Sequence, residues 1–269
     1  DNVGPADIST PEVGKVALVI PVKERQTGQV SVSVGYSTQE HLVGRAELSE
    51  TNFRGRAESA SISWEVAGVD GQSSFETAFG DPYIDKYHDG FNIDLYNRAV
   101  YRFSSSFINS ATVGSTTQYF ERHIGGAIGL SRPVSDTITA SIEARAESVN
   151  SDNVSLPIAD SFIRQDANVK GLGIRGLMNT RDNDLNPAAG GYASISVEGV
   201  TSTEKTVGNS PTPLAPGTHN FPKLGIDFRD YISLQGPRRK SITEPKVVLA
   251  FRILGGFTST QTPFSEQYF

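Results

Sequence analysis

The feature that most constrains this chain is an alternation of apolar and polar residues that restarts many times. In four separate segments every second residue is apolar: Val30, Val32, Val34 and Tyr36; Ala60, Ile62, Trp64 and Val66; Ile138, Ala140, Ile142 and Ala144; and Leu224, Ile226 and Phe228. Successive side chains of a β-strand point to opposite faces. Each segment therefore predicts a strand with one apolar face and one strongly polar face.

Composition is compatible with two kinds of all-β protein. Of the 269 residues, 37% are hydrophobic and 20% are charged. These averages suit a soluble protein whose apolar faces meet in a dry core. They also suit a transmembrane barrel, because its strands turn one face to lipid and the other to a wet lumen. No segment approaches the roughly 18 uninterrupted apolar residues of a spanning helix, so the predicted fold class is all-β with both interpretations open at this point.

The alternation and the links between its segments favour the barrel. Compact, turn-rich links follow the even-numbered segments, and longer links follow several odd-numbered ones, although the early links at 38–41 and 69–71 are short. Short turns at one end and long loops at the other are typical of outer-membrane barrels. The predicted strands are 29–37, 42–51, 56–67, 73–79, 91–103, 118–131, 137–149, 169–180, 192–200, 221–234 and 246–257, with compact turns at 50–55, 80–90, 132–136, 181–191 and 235–245 and long links at 104–117, 150–168 and 201–220.

Little in the sequence predicts catalysis or a cofactor. The net charge of −6 gives no reason to expect nucleic-acid binding, and the absence of cysteine excludes disulfides and thiolate metal sites. The four histidines lack the short spacing of metal ligands. We therefore expect no enzyme, no cofactor and no metal site. Charged residues at the alternate strand positions are expected to line a hydrated lumen: Glu47, Glu65, Arg98, Glu143, Arg145, Asp227 and Arg229.

Several motifs, in order along nearly the whole chain, carry a resemblance to a known family. The sequence VKERQTG at 22–28 followed by VSVGYS at 32–37 is similar to the junction between the last POTRA domain and the barrel in outer-membrane assembly factors of the BamA/TamA type. The segments 48–56, 80–84 and 180–191 resemble the first, second and fourth periplasmic turns of that family. The segment 263–269, with Pro263 and Phe264, resembles the start of its long sixth extracellular loop.

The resemblance implies a domain organisation. Residues 1–27 are expected to be the C-terminal end of the last POTRA domain and a linker, located in the periplasm of a Gram-negative-type envelope. Residues 28–269 are expected to be the N-terminal part of an outer-membrane β-barrel, truncated before the sixth loop. Family barrels have sixteen strands, and an odd number does not close as an ordinary bacterial barrel. We therefore expect this sequence to be a fragment.

The resemblance also implies a function and its partners. It implies insertion of nascent outer-membrane β-barrel proteins, in contact with outer-membrane lipids and, as further candidates, periplasmic chaperones and accessory lipoproteins. The alternatives are a two-partner-type polypeptide secretion pore and, in a different class, a soluble β-barrel or sandwich that binds a ligand. Within the family the first barrel strand forms a lateral gate, which corresponds here to Gln29, Val30, Ser31, Val32, Ser33, Val34, Gly35 and Tyr36.

Overall fold

Eleven antiparallel strands form a single sheet in sequential order. The computed structural model describes residues 25–37, 41–67, 72–104, 117–151, 165–207, 216–235 and 247–267. The strands are β1 (Gly28–Ser37), β2 (His41–Phe53), β3 (Glu58–Ala67), β4 (Ser73–Asp81), β5 (Gly90–Ser104), β6 (Thr117–Ser135), β7 (Ile138–Asn150), β8 (Gln165–Asn179), β9 (Gly190–Val207), β10 (Gly217–Ser233) and β11 (Val248–Thr258). A one-turn 3-10 helix, Phe264–Glu266, follows β11.

The register aligns the apolar residues of neighbouring strands into rows. One such row contains Leu130, Ile142, Ile174, Val197 and Leu224, each paired with the next across five consecutive strands. All five side chains are exposed. A slip of one residue would turn every side chain of a strand to the other face, so this register places all five apolar residues on the same face. That apolar face is exposed.

The opposite face is polar and encloses only a small apolar cluster. Among the described residues, the buried apolar side chains of the sheet are Val149, Ala167, Val169, Val200 and Phe221. A soluble β-protein would bury its apolar rows between layers. Here those rows are exposed while the charged rows point the other way, which is the arrangement of a wall that faces lipid.

Four described turns lie at one end of the sheet, which we call the short-turn end. They join β2 to β3 (54–57), β4 to β5 (82–89), β6 to β7 (136–137) and β8 to β9 (180–189). The chain enters β1 at the same end, where the backbone N–H of Thr51 donates to the carbonyl of Thr27 over 3.3 Å. These four turns agree with the predicted pattern, whereas the links 38–40 and 68–72 at the opposite end are shorter than the turn at 180–189 and depart from it.

The strands are longer at the opposite end than the sequence predicts. Residues 165–168, 201–207 and 217–220 were expected in long links, but they extend β8, β9 and β10. These segments contain few apolar residues, so they lack the apolar alternation that marks the rest of each strand. The backbone ladder continues regardless, because its hydrogen bonds do not depend on side-chain polarity.

Some expectations fall outside the described residues. The expected POTRA end lies mostly within 1–24, which the structure does not describe. Across the described ranges, no helix has the length and apolar character needed to cross a membrane. The same ranges contain no group of three or more histidine or carboxylate side chains arranged to hold a metal ion.

Candidate functional site

Strand β1, which contains the predicted gate residues, has a hydrogen-bonded neighbour on one side. It pairs with β2 over ten positions, from Gly28 opposite Glu50 to Ser37 opposite His41. Within the described part of the chain no strand pairs with its other side, and β11 likewise pairs with β10 alone. Strands β1 and β11 are thus the two edges of the described sheet, and an edge strand presents a row of backbone donors and acceptors that another strand can join.

The side chains of β1 are the most open of the apolar face. Val30, Val32, Val34 and Tyr36 are 71–76% exposed, since β2 is their only flanking strand among the described residues. On the other face Ser31, Ser33 and Gly35 are small, and a Cβ added at Gly35 would meet no atom within 4 Å. Strand β1 is therefore held mainly by its backbone ladder with β2 and very little by side-chain packing.

The seven predicted lumen charges all lie on the charged face, but they form separate clusters rather than one site. Arg45 pairs with both Glu47 (3.1 Å) and Glu65 (3.4 Å). Arg98 lies 3.4 Å from the Glu76 carboxylate and stacks on the Tyr96 ring. At the far side of the sheet, Asp227 accepts from Arg229 at 2.5 Å and from Arg252 at 3.0 Å. Glu143 lines a cleft that also contains Asp227.

Arg145 is the centre of the largest cluster, which we call the Arg145 cluster: Arg145, Glu147, Glu198, Lys223 and Glu266. The guanidinium donates to Glu147 (2.5 Å), to Glu198 (2.6 Å) and through two nitrogens to Glu266 (3.0 and 2.7 Å). Lys223 donates to the same Glu266 carboxylate at 2.9 Å. Since all five side chains are less than one quarter exposed, these charges are paired with each other more than with water.

Further hydrogen bonds extend the cluster to β5 and β6. The other oxygen of Glu147 contacts the Tyr96 hydroxyl at 3.1 Å and His123 Nδ1 at 3.0 Å. The second ring nitrogen of His123 lies 3.2 Å from Glu121. Together the network ties β5, β6, β7, β9 and β10 to the helix after β11, so it braces much of the charged face.

One glycine makes room for the central ion pair. Gly171 on β8 lies beneath the contact between Arg145 and Glu198, and a Cβ there would lie 2.0 Å from the Glu198 carboxylate and 3.0 Å from Arg145 Nε. A side chain at this position would displace Glu198. The close approach therefore requires glycine, for a reason that concerns the ion pair and not the backbone angles of the strand.

Glu266 draws the segment after β11 onto the charged face. Thr262 and Pro263 are buried, the Thr262 hydroxyl is 2.6 Å from that of Thr258, and the helix begins at Phe264. Burial by itself raises the pKa of Glu266, but the hydrogen bonds and charges of Arg145 and Lys223 outweigh burial and lower its pKa below the usual value. Glu266 is thus an ionised, buried anchor.

The sequence contained a signal for some members of the network and none for others. Glu198 and Lys223 occupy alternate positions of β9 and β10, so the same pattern that selected Asp227 could have identified them. The spacing of the four histidines excluded a metal site but gave no signal that His123 contacts two carboxylates. Glu266 belongs to no strand and is 121 positions from Arg145, so periodicity could not connect the two.

Comparison with known proteins identifies the family. The family model described as the Omp85 superfamily domain matches residues 52–269. The chain belongs to the Omp85 superfamily. Among solved structures, BamA from Haemophilus ducreyi lacking POTRA domains 1–3 matches with a TM-score of 0.60 and 18% sequence identity. The match covers 97% of this chain and 48% of that one, so the chain spans about half the length of that structure.

Membership of the Omp85 superfamily confirms the predicted resemblance and the transmembrane-barrel fold class. A search of curated proteins finds no match. As an Omp85 protein the chain belongs to an outer membrane, so acyl chains cover the exposed rows of the apolar face. The soluble sandwich is set aside, because its defining feature, apolar rows interdigitated in a dry core, is contradicted by the exposure of Ile142 and Ile174.

Proposed function

We propose that this Omp85 protein inserts β-barrel proteins into the outer membrane, with β1 as the movable edge of a lateral gate. The observation that carries the proposal is the sparse side-chain support of β1, where Ser31, Ser33 and Gly35 face the lumen side and a Cβ added at Gly35 would meet no atom within 4 Å. An extended client strand would add to the free edge by β-augmentation. Each backbone hydrogen bond gained contributes about 0.5–1.5 kcal/mol, so a ladder of such bonds can hold a client segment while it leaves the water.

The uneven bracing of the sheet supports a gate at this end. The charged face of β5 to β10 is tied together by the Arg145 cluster and its contacts to Tyr96 and His123. By contrast, the described ion pairs at the β2 positions opposite Ser31 and Ser33 join Arg45 to Glu47 and Glu65, whose side chains are 35–47% exposed, and a pair with a buried carboxylate, Arg54 with Glu58, lies at the β2–β3 turn. Exposed ion pairs contribute roughly 0–1 kcal/mol. The wall is therefore stiff where the network runs and compliant at β1.

The proposal includes an orientation and a set of partners. The short-turn end faces the periplasm, residues 1–27 end a POTRA domain there, and residues 28–269 form the barrel wall, whose charged face lines the lumen. Pro263 and Phe264 begin the sixth loop. The clients are nascent outer-membrane β-barrel proteins, and the further partners are membrane lipids, periplasmic chaperones and accessory lipoproteins. The work is physical, and no catalytic group takes part.

Single cysteines test the gate, since the chain contains none of its own. Ser33→Cys on the edge strand is compared with Ser141→Cys on β7, a serine on the same face whose strand has neighbours on both sides. Each variant of the full-length protein is expressed with a client barrel that carries one cysteine in its C-terminal strand. We expect a disulfide-linked product with Ser33→Cys during client assembly and none with Ser141→Cys.

Either of two results would overturn the gate. One is an absence of crosslinks along the whole of β1 while the client still assembles. The other is equal crosslinking at Ser33 and Ser141, which would indicate random collisions rather than strand addition. Migration of the unheated protein in gels, which reports a folded barrel, shows that each variant has folded.

A polypeptide secretion pore is the second candidate, and a cleft on the charged face favours it. The cleft has a volume of about 670 Å³ and is lined by Glu143, Arg175, Ser196, Glu198 and Asp227 among others. The lining also includes Ile174, Ile226 and Leu254, so it suits an extended polypeptide that carries both polar and apolar side chains. Depletion in cells separates the two functions: a general loss of outer-membrane barrels supports insertion, and loss of one secreted protein with the barrels intact supports secretion.

A further inference from the structure

The turn between β4 and β5 is an ordered structure with its own hydrogen bonds. Asp85 Oδ1 accepts from the backbone N–H groups of Tyr87 (2.8 Å) and Asp89 (3.1 Å). The N–H of Ile84 donates to the carbonyl of Asp89 over 2.9 Å, and His88 has a positive φ of 62°. These bonds fix the direction in which the turn leaves the sheet.

The turn folds over the apolar face and is fastened there. Arg132 on β6 donates from Nε to Asp89 Oδ1 at 2.6 Å, and from Nη2 to the second oxygen of the same carboxylate. Arg132 shares its face with Ala140 and Gly176, since the register pairs each with the next. A bond from the turn to this outward-facing arginine means that the turn overhangs the outer wall.

A groove lies beneath the overhang. Ala140 and Gly176 are the small residues of its floor, and a Cβ added at Gly176 would meet no atom within 4 Å. The row that contains Ile142 and Ile174 forms one wall, and Ile84 of the turn forms part of the other. The groove has a volume of about 710 Å³, which lies within the range of roughly 300–1,000 Å³ of small-molecule sites.

Beside the groove, at the end of the strands, two cations and one aromatic ring lie together with the carboxylates of Asp85 and Asp89. Lys86 Nζ lies 4.9 Å above the Tyr87 ring, and the Arg132 guanidinium lies 5.6 Å from the same ring. Tyr87 is exposed. Tyrosine and basic side chains at this position are typical of the boundary between acyl chains and headgroups. Asp89 engages Nε and Nη2 of Arg132, and a guanidinium has five N–H donors, so further donors of Arg132 are available to a ligand.

We propose that the groove binds one phospholipid, with an acyl chain along Ala140 and Gly176 and the phosphate at Lys86 and Arg132. We assign a phospholipid to the groove because this face of an Omp85 barrel is in contact with lipid. An acyl chain in a groove has protein atoms on several sides, so it gains more dispersion contacts than a chain on a flat wall. Arginine and lysine are the residues that bind phosphate. The site is independent of whether the protein inserts or secretes its clients.

Lipid retention measured by native mass spectrometry tests the groove. The full-length protein in detergent is mixed with phosphatidylethanolamine, and bound lipid is counted after the detergent is removed. Gly176→Phe fills the groove. Gly199→Phe is the matched control, since Gly199 is an exposed glycine on the same face of β9, with no atom within 4 Å of an added Cβ and no part in the groove. We expect about tenfold less retained lipid for Gly176→Phe and wild-type retention for Gly199→Phe.

The phosphate is tested with Lys86→Gln and with diacylglycerol, which has the acyl chains but no phosphate. Lys86→Gln is expected to lower retention of phosphatidylethanolamine by about threefold and to leave retention of diacylglycerol unchanged. Wild-type retention by Gly176→Phe, or an equal loss in Gly199→Phe, would overturn the site. So would a photo-crosslinker at Gly176 that captures protein and no lipid in cells, because the groove would then be a protein docking surface.

Discussion

Glu266 and Arg145 form a bidentate ion pair although they are 121 positions apart in the chain. The Arg145 nitrogens Nη2 and Nη1 lie 2.7 and 3.0 Å from the two carboxylate oxygens of Glu266. Glu266 belongs to the one-turn helix after β11, and Arg145 lies in the middle of β7. The carboxylate is only 4% exposed. This contact, supported by Lys223, joins the segment after the last described strand to the charged face, and it makes the Arg145 cluster a structural brace whose energetic weight can be measured.

Removing each partner of this pair is expected to have unequal effects. Glu266→Gln leaves Arg145 with Glu147 and Glu198, so we expect a loss of about 1–3 kcal/mol in the free energy of unfolding. Arg145→Gln leaves three carboxylates facing one another without their shared cation, so we expect a loss of roughly 3–5 kcal/mol. Urea titration of the barrel in lipid vesicles measures both.

A neighbouring arginine provides the control for this prediction. Arg175 is exposed on the same face, and the described residues include no ion-pair partner for it. Arg175→Gln should change the free energy of unfolding by no more than about 0.5 kcal/mol. A loss in Arg145→Gln no greater than that in Arg175→Gln would show that the cluster does not brace the wall.

The contribution of Glu266 is expected to depend on pH with a defined sign. Its pKa in the folded protein is lowered by Arg145 and Lys223 in spite of burial. A carboxylate with a depressed folded pKa stabilises fully above its unfolded pKa of about 4.3, and this stabilisation is lost as pH falls through the folded pKa. The stability difference between wild type and Glu266→Gln should stay constant from pH 8 to about pH 5.5 and shrink at lower pH. A difference that grew on acidification would contradict this assignment.

Two glycines of β8 should respond in opposite ways to alanine. In Gly171→Ala the new Cβ would lie 2.0 Å from the Glu198 carboxylate, so the ion pair with Arg145 must shift, and we expect a loss of about 1–3 kcal/mol. In Gly176→Ala the Cβ meets no atom within 4 Å, so we expect no loss, or a gain of roughly 0.4–1 kcal/mol from the unfolded chain. Equal effects in thermal unfolding would refute the role given to Gly171.

The orientation of the wall predicts a strong difference between adjacent positions of β7. Ile142 faces lipid, so Ile142→Arg should cost roughly 2–4 kcal/mol if the side chain lies near the bilayer midplane. Ser141 faces the polar side, where a cation meets water and carboxylates, so Ser141→Arg should cost less than about 1 kcal/mol. The measurement is the free energy of unfolding in vesicles. A larger loss for Ser141→Arg than for Ile142→Arg would reverse the assignment of the two faces.

The sequence predicted the wall of this protein well and its internal contacts poorly. All eleven predicted strands are present, and β7 differs from its predicted range by one residue at each end. The largest error is in β9, whose polar end at 201–207 was expected in a link. Smaller errors of four residues occur at 165–168 of β8, at 217–220 of β10 and at 132–135, which belongs to β6 and was expected in a compact turn. Apolar alternation occurs only in the part of a strand that crosses lipid. It therefore does not predict the part of the strand that continues into water.

What the sequence determined by itself is therefore the period, the two faces and, through the order of its turn motifs, the family. These properties are local, because a strand of period two fixes which face each residue occupies. The tertiary structure alone decided which charges meet. Glu266 reaches Arg145, and the turn at 82–89 reaches Arg132, through contacts between distant segments. Such contacts depend on how the whole sheet brings its strands and connections together, so the local periodicity of the sequence does not predict them.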